Sequence, residues 1–159
     1  VQTCALPICD MKRDVKLDSR LMLVENEAPL RRSLENFLQT GGYNFQSCSN
    51  AREALALAQV LHPDVVIVEH RLPDACGLAL VDKLGEICPH VVAAVISEYD
   101  FKLIADKFER FQIDYFLKKP FDPVELETVL CSSCSKAHAV LSDSRLNIPV
   151  HLKVCPPPS

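Results

Sequence analysis

The stretch Asp64-Val-Val-Ile-Val-Glu69-His-Arg-Leu-Pro-Asp74-Ala-Cys-Gly77 decides how the chain folds. Val65, Val66, Ile67 and Val68 are consecutive, apolar and β-branched, so the run is apolar on both faces. That suits an inner strand of a parallel sheet covered by helices on each side. The run stops on a carboxylate, Glu69, and enters a loop marked by Pro73 and Gly77. In open α/β sheets ligands bind in the crevice beyond the carboxyl ends of the strands. Glu69 is therefore expected to face such a crevice, as a working group or as the remnant of one.

Working outward, residues 21–24 form a second apolar run that ends on Glu25, Asn26 and Glu27. Leu30, Leu34, Phe37 and Leu38 then recur at helical spacing until Gly41 and Gly42 stop them. Residues 43–47 read as a weak strand, and Asn50 with Glu53 is a capping-box-like start for a helix over 51–61. A helix over 78–87, a strand over 91–96 ending on Ser97, and a helix over 101–111 follow. Residues 115–117 make a last strand before Lys118, Lys119 and Pro120, and a helix runs from about Pro123 to about Leu141. Five strands alternating with five helices predict an α/β fold with a doubly wound parallel sheet.

A length of 159 residues suits one domain, and 48% hydrophobic with 24% charged residues is ordinary globular composition. A net charge of -4 gives no electrostatic reason to expect direct nucleic-acid or anionic-membrane binding. The longest uncharged apolar run, 91–96, is too short to cross a bilayer. The eight cysteines are scattered rather than framed, which reads as reduced thiols in a cytoplasmic protein. Residues 1–9 lack the sustained apolar core of a signal peptide, and 1–8 match the translation of a sequencing-library adapter. The native start is then expected at Met11, with 1–19 outside the fold, the domain over 20–141, and a tail over 142–159 too short for an output domain.

Under this reading Glu25, Asn26, Glu69, Ser97 and Lys119 collect at one edge of the sheet. Carboxylates beside an amide, a hydroxyl and an ammonium suit a phosphoryl group with or without Mg²⁺. Oxygen ligands fit the hard cation, and the lysine and hydroxyl can hold phosphoryl oxygens. Strand ends are commonly polar because they meet water, but four of five converging favours a functional site.

On these residues the chain from about Arg20 to Leu141 resembles the receiver domains of bacterial two-component response regulators. The matching motifs are Val24-Glu25-Asn26-Glu27, Pro63-Asp64 through Glu69 with Pro73 and Gly77, Val95-Ile96-Ser97, and Asp114-Tyr115 through Lys119-Pro120-Phe121. The resemblance implies strand order 2-1-3-4-5 in a flavodoxin-like, CheY-like architecture. It implies Mg²⁺ ligands at positions 25, 26 and 69, a phosphoacceptor at 69, and phosphoryl contacts from Ser97 and Lys119. It also implies a switch aromatic at Phe116, with core packing as the alternative role. The chain departs from the family at three positions, where Glu25, Asn26 and Glu69 each replace an aspartate. The longer glutamate misplaces a nucleophile by about 1 Å, which can cost roughly 10²-fold. Asn26 removes a negative charge from the metal pocket, so no cofactor, or only weakly held Mg²⁺, is expected.

The reading that follows is a non-enzymatic signalling module of a phosphorelay, an atypical pseudo-receiver with Lys119 pairing Glu69. Its expected partner is a sensor histidine kinase or other signalling protein on the face of the fourth helix, fifth strand and fifth helix, with homodimerisation also open. A phosphorylation-competent regulator is the alternative. A flavin- or nucleotide-binding protein of the same architecture is a third class, disfavoured because the loop after the first strand offers carboxylates where a phosphate would sit. Lys118 and Lys119 point to opposite sides, and adjacency to Pro120 favours Lys119 for the site. Cys131 and Cys134 with His138 have ligand-like spacing, but lie late in a helix and read as helix residues, partly buried. His70 reads as a loop residue.

Overall fold

The computed structural model describes residues 18–142. The expectations placed on 1–17 and on 143–159 lie outside the described residues. Strands β1 (Arg20–Val24), β2 (Asn44–Cys48), β3 (Val65–Glu69), β4 (Val92–Ser97) and β5 (Tyr115–Lys118) alternate with helices. The helices are α1 (Ala28–Thr40), α2 (Ala51–Leu61), α3 (Gly77–Ile87), α4 (Phe101–Arg110) and α5 (Pro123–Ser142). The strands are parallel in the order β2-β1-β3-β4-β5, the doubly wound order expected.

Strand alternation divides the core into two layers. Met22, Val24, Val66, Val68, Ala93 and Val95 face α2, α3 and α4, where Ala54, Leu84 and Phe108 meet them. Leu21, Leu23, Val65, Ile67, Ala94 and Ile96 face α1 and α5, where Leu34, Leu38 and Leu130 close the other side. β3 is buried along its whole length. Each large apolar side chain so placed contributes roughly 1.5–3 kcal/mol from burial.

Local chemistry sets the helix starts. Asn50 accepts the Glu53 N–H at 2.8 Å, while Glu53 returns a bond to the Ser49 N–H at 3.1 Å. Asp74, from the loop after β3, accepts the N–H groups of Ala51 at 2.9 Å and Arg52 at 3.0 Å. The start of α2 is thus tied to the loop that carries the functional edge. Asp122 and Glu125 cap α5 reciprocally, each bond 2.8 Å long.

Several boundaries differ from the sequence expectation by one residue, among them those of β2 and β4. β2 begins at Asn44 because the Tyr43 N–H closes α1 on the Leu38 carbonyl at 3.0 Å, and its ring is buried. β4 runs from Val92 through Ser97, whose carbonyl accepts the Lys119 N–H at 2.8 Å. Among the described residues no helix is long and apolar enough to cross a membrane.

Candidate functional site

The reversal of strand order between β1 and β3 opens a crevice at the carboxyl edge, and four polar groups reach it. Glu25 follows β1 and is fully buried; Glu69 ends β3, Ser97 ends β4, and Lys119 follows β5 before a cis bond to Pro120. Lys119 Nζ lies 3.4 Å from Glu25 Oε2 and 3.2 Å from Glu27 Oε1, and touches Glu69 Oε2. Charge attraction holds the Lys119 ammonium against Glu69. Lys118 points the other way and pairs with Asp100 in the exposed margin.

Three carboxylates share one ammonium. Burial raises the Glu25 pKa, and the Glu69 carboxyl adds to it; the Glu27 N–H, at 2.9 Å from Glu25 Oε1, and Lys119 pull the other way. For Lys119 burial works against the charged form, but bonding and attraction from Glu69, Glu25 and Glu27 outweigh it, and its pKa lies above the ordinary lysine range. The second Glu69 oxygen, Oε1, accepts the Arg71 N–H at 3.1 Å. Glu69 is therefore held from both ends.

Ser97 is oriented away from this ion cluster by two bonds. Its buried Oγ accepts the Tyr99 N–H at 3.1 Å and pairs with His70 Nδ1 at 3.0 Å. His70 lies in the loop just after β3, as the sequence reading has it, and is buried there. Its N–H donates to the Ile96 carbonyl at 2.8 Å, which completes the pairing of Glu69 with Ile96 at the end of β3. Alternation then sends Glu69 and His70 to opposite faces. The alternation of strand side chains was the available signal.

The site residues named from sequence divide accordingly. Glu25, Glu69 and Lys119 meet; Ser97 joins them through the backbone, while its hydroxyl bonds His70. Asn26 is exposed, and no ion pair or hydrogen bond among the described residues brings its side chain to the cluster; Glu27 reaches Lys119 instead. This donor set fits Mg²⁺ poorly, because the lysine ammonium stands among the carboxylates that would hold the metal. Among the described residues no group of three His, Cys, Asp or Glu side chains is arranged to hold a metal ion. Phe116 is partly buried and packs against Phe101 and Phe108, with ring centroids 5.6 and 5.7 Å away. Cys131 bonds the Glu127 carboxylate at 3.4 Å, and Cys134 is buried in the core.

Residues 21–130 match the family model for the response regulator receiver domain. Over 114 residues the chain is 37% identical to an uncharacterised response regulatory protein of Yersinia pestis, covering 70% of this chain and 46% of that one. It is 29% identical over 115 residues to the transcriptional regulatory protein HptR of Staphylococcus aureus, covering 70% and 44%. The chain thus spans about half the length of these relatives. The signal receiver domain of an HD domain-containing protein from Pseudomonas fluorescens superposes with a TM-score of 0.71 at 25% identity, covering 76% of this chain and 98% of that one. The chain belongs to the response regulator receiver domain family of two-component signalling. Members of that family are signalling modules.

Proposed function

We propose that this receiver acts as a pseudo-receiver, an interaction module that carries a fixed charge pattern where typical members accept a phosphoryl group. One observation carries the reading: Lys119, the residue that would hold a phosphoryl oxygen, already neutralises Glu69 and leans on Glu25 and Glu27. Three further features support it. Glu69 is longer than the aspartate that serves as acceptor, Asn26 withholds a negative charge from the metal position, and the Ser97 hydroxyl is bonded to His70. The module neither needs metal nor turns over substrate. Its partner is a sensor histidine kinase or another signalling protein, received on the face of α4, β5 and α5, where Phe116 sits against α4.

The test is Mg²⁺-dependent labelling by acetyl phosphate, run on this protein and on an Asn26→Asp/Glu69→Asp double variant. Labelling of the variant alone is the expected result. Robust labelling of the unmodified protein, abolished by Glu69→Gln, would make it a competent phosphoacceptor and overturn the proposal.

A further inference from the structure

We propose that a cavity between the loop after β3 and helix α4 binds a small amphipathic anion, a phosphate or carboxylate head on an apolar body, and that Ser97 responds to its occupancy. The cavity has a volume of about 530 Å³ and lies beside the ion cluster, on the His70 side of β3. That size suits a small organic ligand. Arg71 and Lys107 line it and no carboxylate does, although the chain as a whole carries a net charge of -4.

Neither cation forms an ion pair among the described residues. Arg20, Arg31, Lys118, Lys119 and Lys136 all pair with carboxylates. Among the described residues the Arg71 side chain meets a neutral partner: it donates to Tyr99 Oη at 3.2 Å, and the guanidinium carbon stands 6.0 Å from the centre of that ring. Lys107 is exposed and has no ion-pair partner among the described residues. A guanidinium fork and an ammonium on one concave wall suit a phosphate or carboxylate group.

The remaining wall is apolar. Leu72, Leu103 and Ile104 line it, and Leu103 is 69% exposed. An inorganic anion would leave this wall in contact with water. A neutral apolar molecule would leave the two cations uncompensated. An anion with an apolar body satisfies both parts.

The coupling to Ser97 follows from which residues form the wall. His70 and Tyr99 both line the cavity, pack edge to face with ring centres 5.4 Å apart, and together supply the two groups bonded to Ser97 Oγ. The His70 ring is bonded directly to the Ser97 hydroxyl and the Tyr99 bond comes from its backbone N–H, so a ligand that displaces the His70 ring or the Tyr99 backbone moves the hydroxyl at the end of β4.

Phenyl phosphate is a direct probe, followed by ¹H–¹⁵N NMR of the full chain. The amides of Arg71, Tyr99 and Lys107 are expected to shift saturably, and Ser97 with the same midpoint. Phenol and inorganic phosphate each should bind at least about tenfold more weakly, as should phenyl phosphate to an Arg71→Gln/Lys107→Gln variant. Both substituted side chains are exposed, so the variant keeps the fold, and its dispersed spectrum verifies that. Equal binding of phenol, undiminished binding by the variant, shifts centred on Glu25 and Lys119, or no saturable shift would each overturn the anion site. Saturation at Arg71 and Lys107 with Ser97 unmoved would overturn the coupling. None of these outcomes depends on whether Glu69 accepts a phosphoryl group.

Discussion

Lys119 Nζ rests against the Glu69 carboxylate, and the only other anions it meets among the described residues are Glu25 and Glu27. One ammonium thus compensates the acidic end of two adjacent strands. Breaking a buried pair from one side leaves the remaining charge unscreened, so the two sides of this cluster are not equivalent.

Lys119→Met should lower the free energy of unfolding by about 3–5 kcal/mol, because it strands buried Glu25 and Glu69 together. Glu69→Gln should cost less, under about 2 kcal/mol, since it also removes a carboxylate that repels Glu25. Urea denaturation followed by far-UV circular dichroism compares the two. Equal losses would mean that Lys119 is not the counter-ion of the whole cluster.

Gly77 offers a purely steric test. A Cβ built there would stand 2.0 Å from the Glu69 carbonyl oxygen, while its N–H donates to the His70 carbonyl at 2.7 Å. Gly77→Ala should therefore cost about 3 kcal/mol or more, as the loop must move away from the strand end. Gly85, in the same helix, has nothing within 4 Å of the corresponding point. Gly85→Ala should stabilise the protein by about 0.5–1 kcal/mol. Thermal melts of the two variants should move in opposite directions.

The thiols should separate by reactivity. Cys76 is exposed, whereas Cys48 is buried and burial pushes its thiol up to about 12. At mildly alkaline pH a disulfide reagent should label Cys76 at once and Cys48 only on unfolding. Mass spectrometry of the labelled protein reads this out.

The same thiol gives a pH dependence. A raised folded-state pKa means full stability below the ordinary thiol value of 9.0 and a loss as pH rises toward 12, where the unfolded chain ionises and the folded one does not. Cys48→Ala should remove that part of the alkaline slope in urea titrations between these limits.

Asp74 acts at the acid end. The N–H groups of Ala51 and Arg52 hold its pKa below the usual carboxylate range, so its contribution is present at neutral pH and lost as pH falls through that lowered value. Asp74→Ala should lower the melting temperature at neutral pH and flatten the acid limb of the stability profile. An unchanged acid limb would mean that α2 does not depend on this cap.

The sequence by itself determined the architecture and the edge where the site lies. Runs such as 65–68 and 92–96 record burial on both faces, and their short length and β-branched residues favour an inner strand of a covered sheet over a buried helix. Because the apolar runs of β1, β3, β4 and β5 give way to polar residues at their carboxyl ends, Glu25, Glu69, Ser97 and Lys119 fall together at one edge of the sheet. Only the tertiary structure decided which of these groups touch. Lys119 reaches Glu27 across 92 positions of chain, His70 reaches Ser97 across 27, and Asp74 caps a helix that precedes it by 23. Hydrophobic periodicity is a local record of which face is buried. It carries no information on strand register or on the path of a polar loop, and those two set where Asn26 points, which hydroxyl partner His70 finds, and whether Arg71 and Lys107 share a wall.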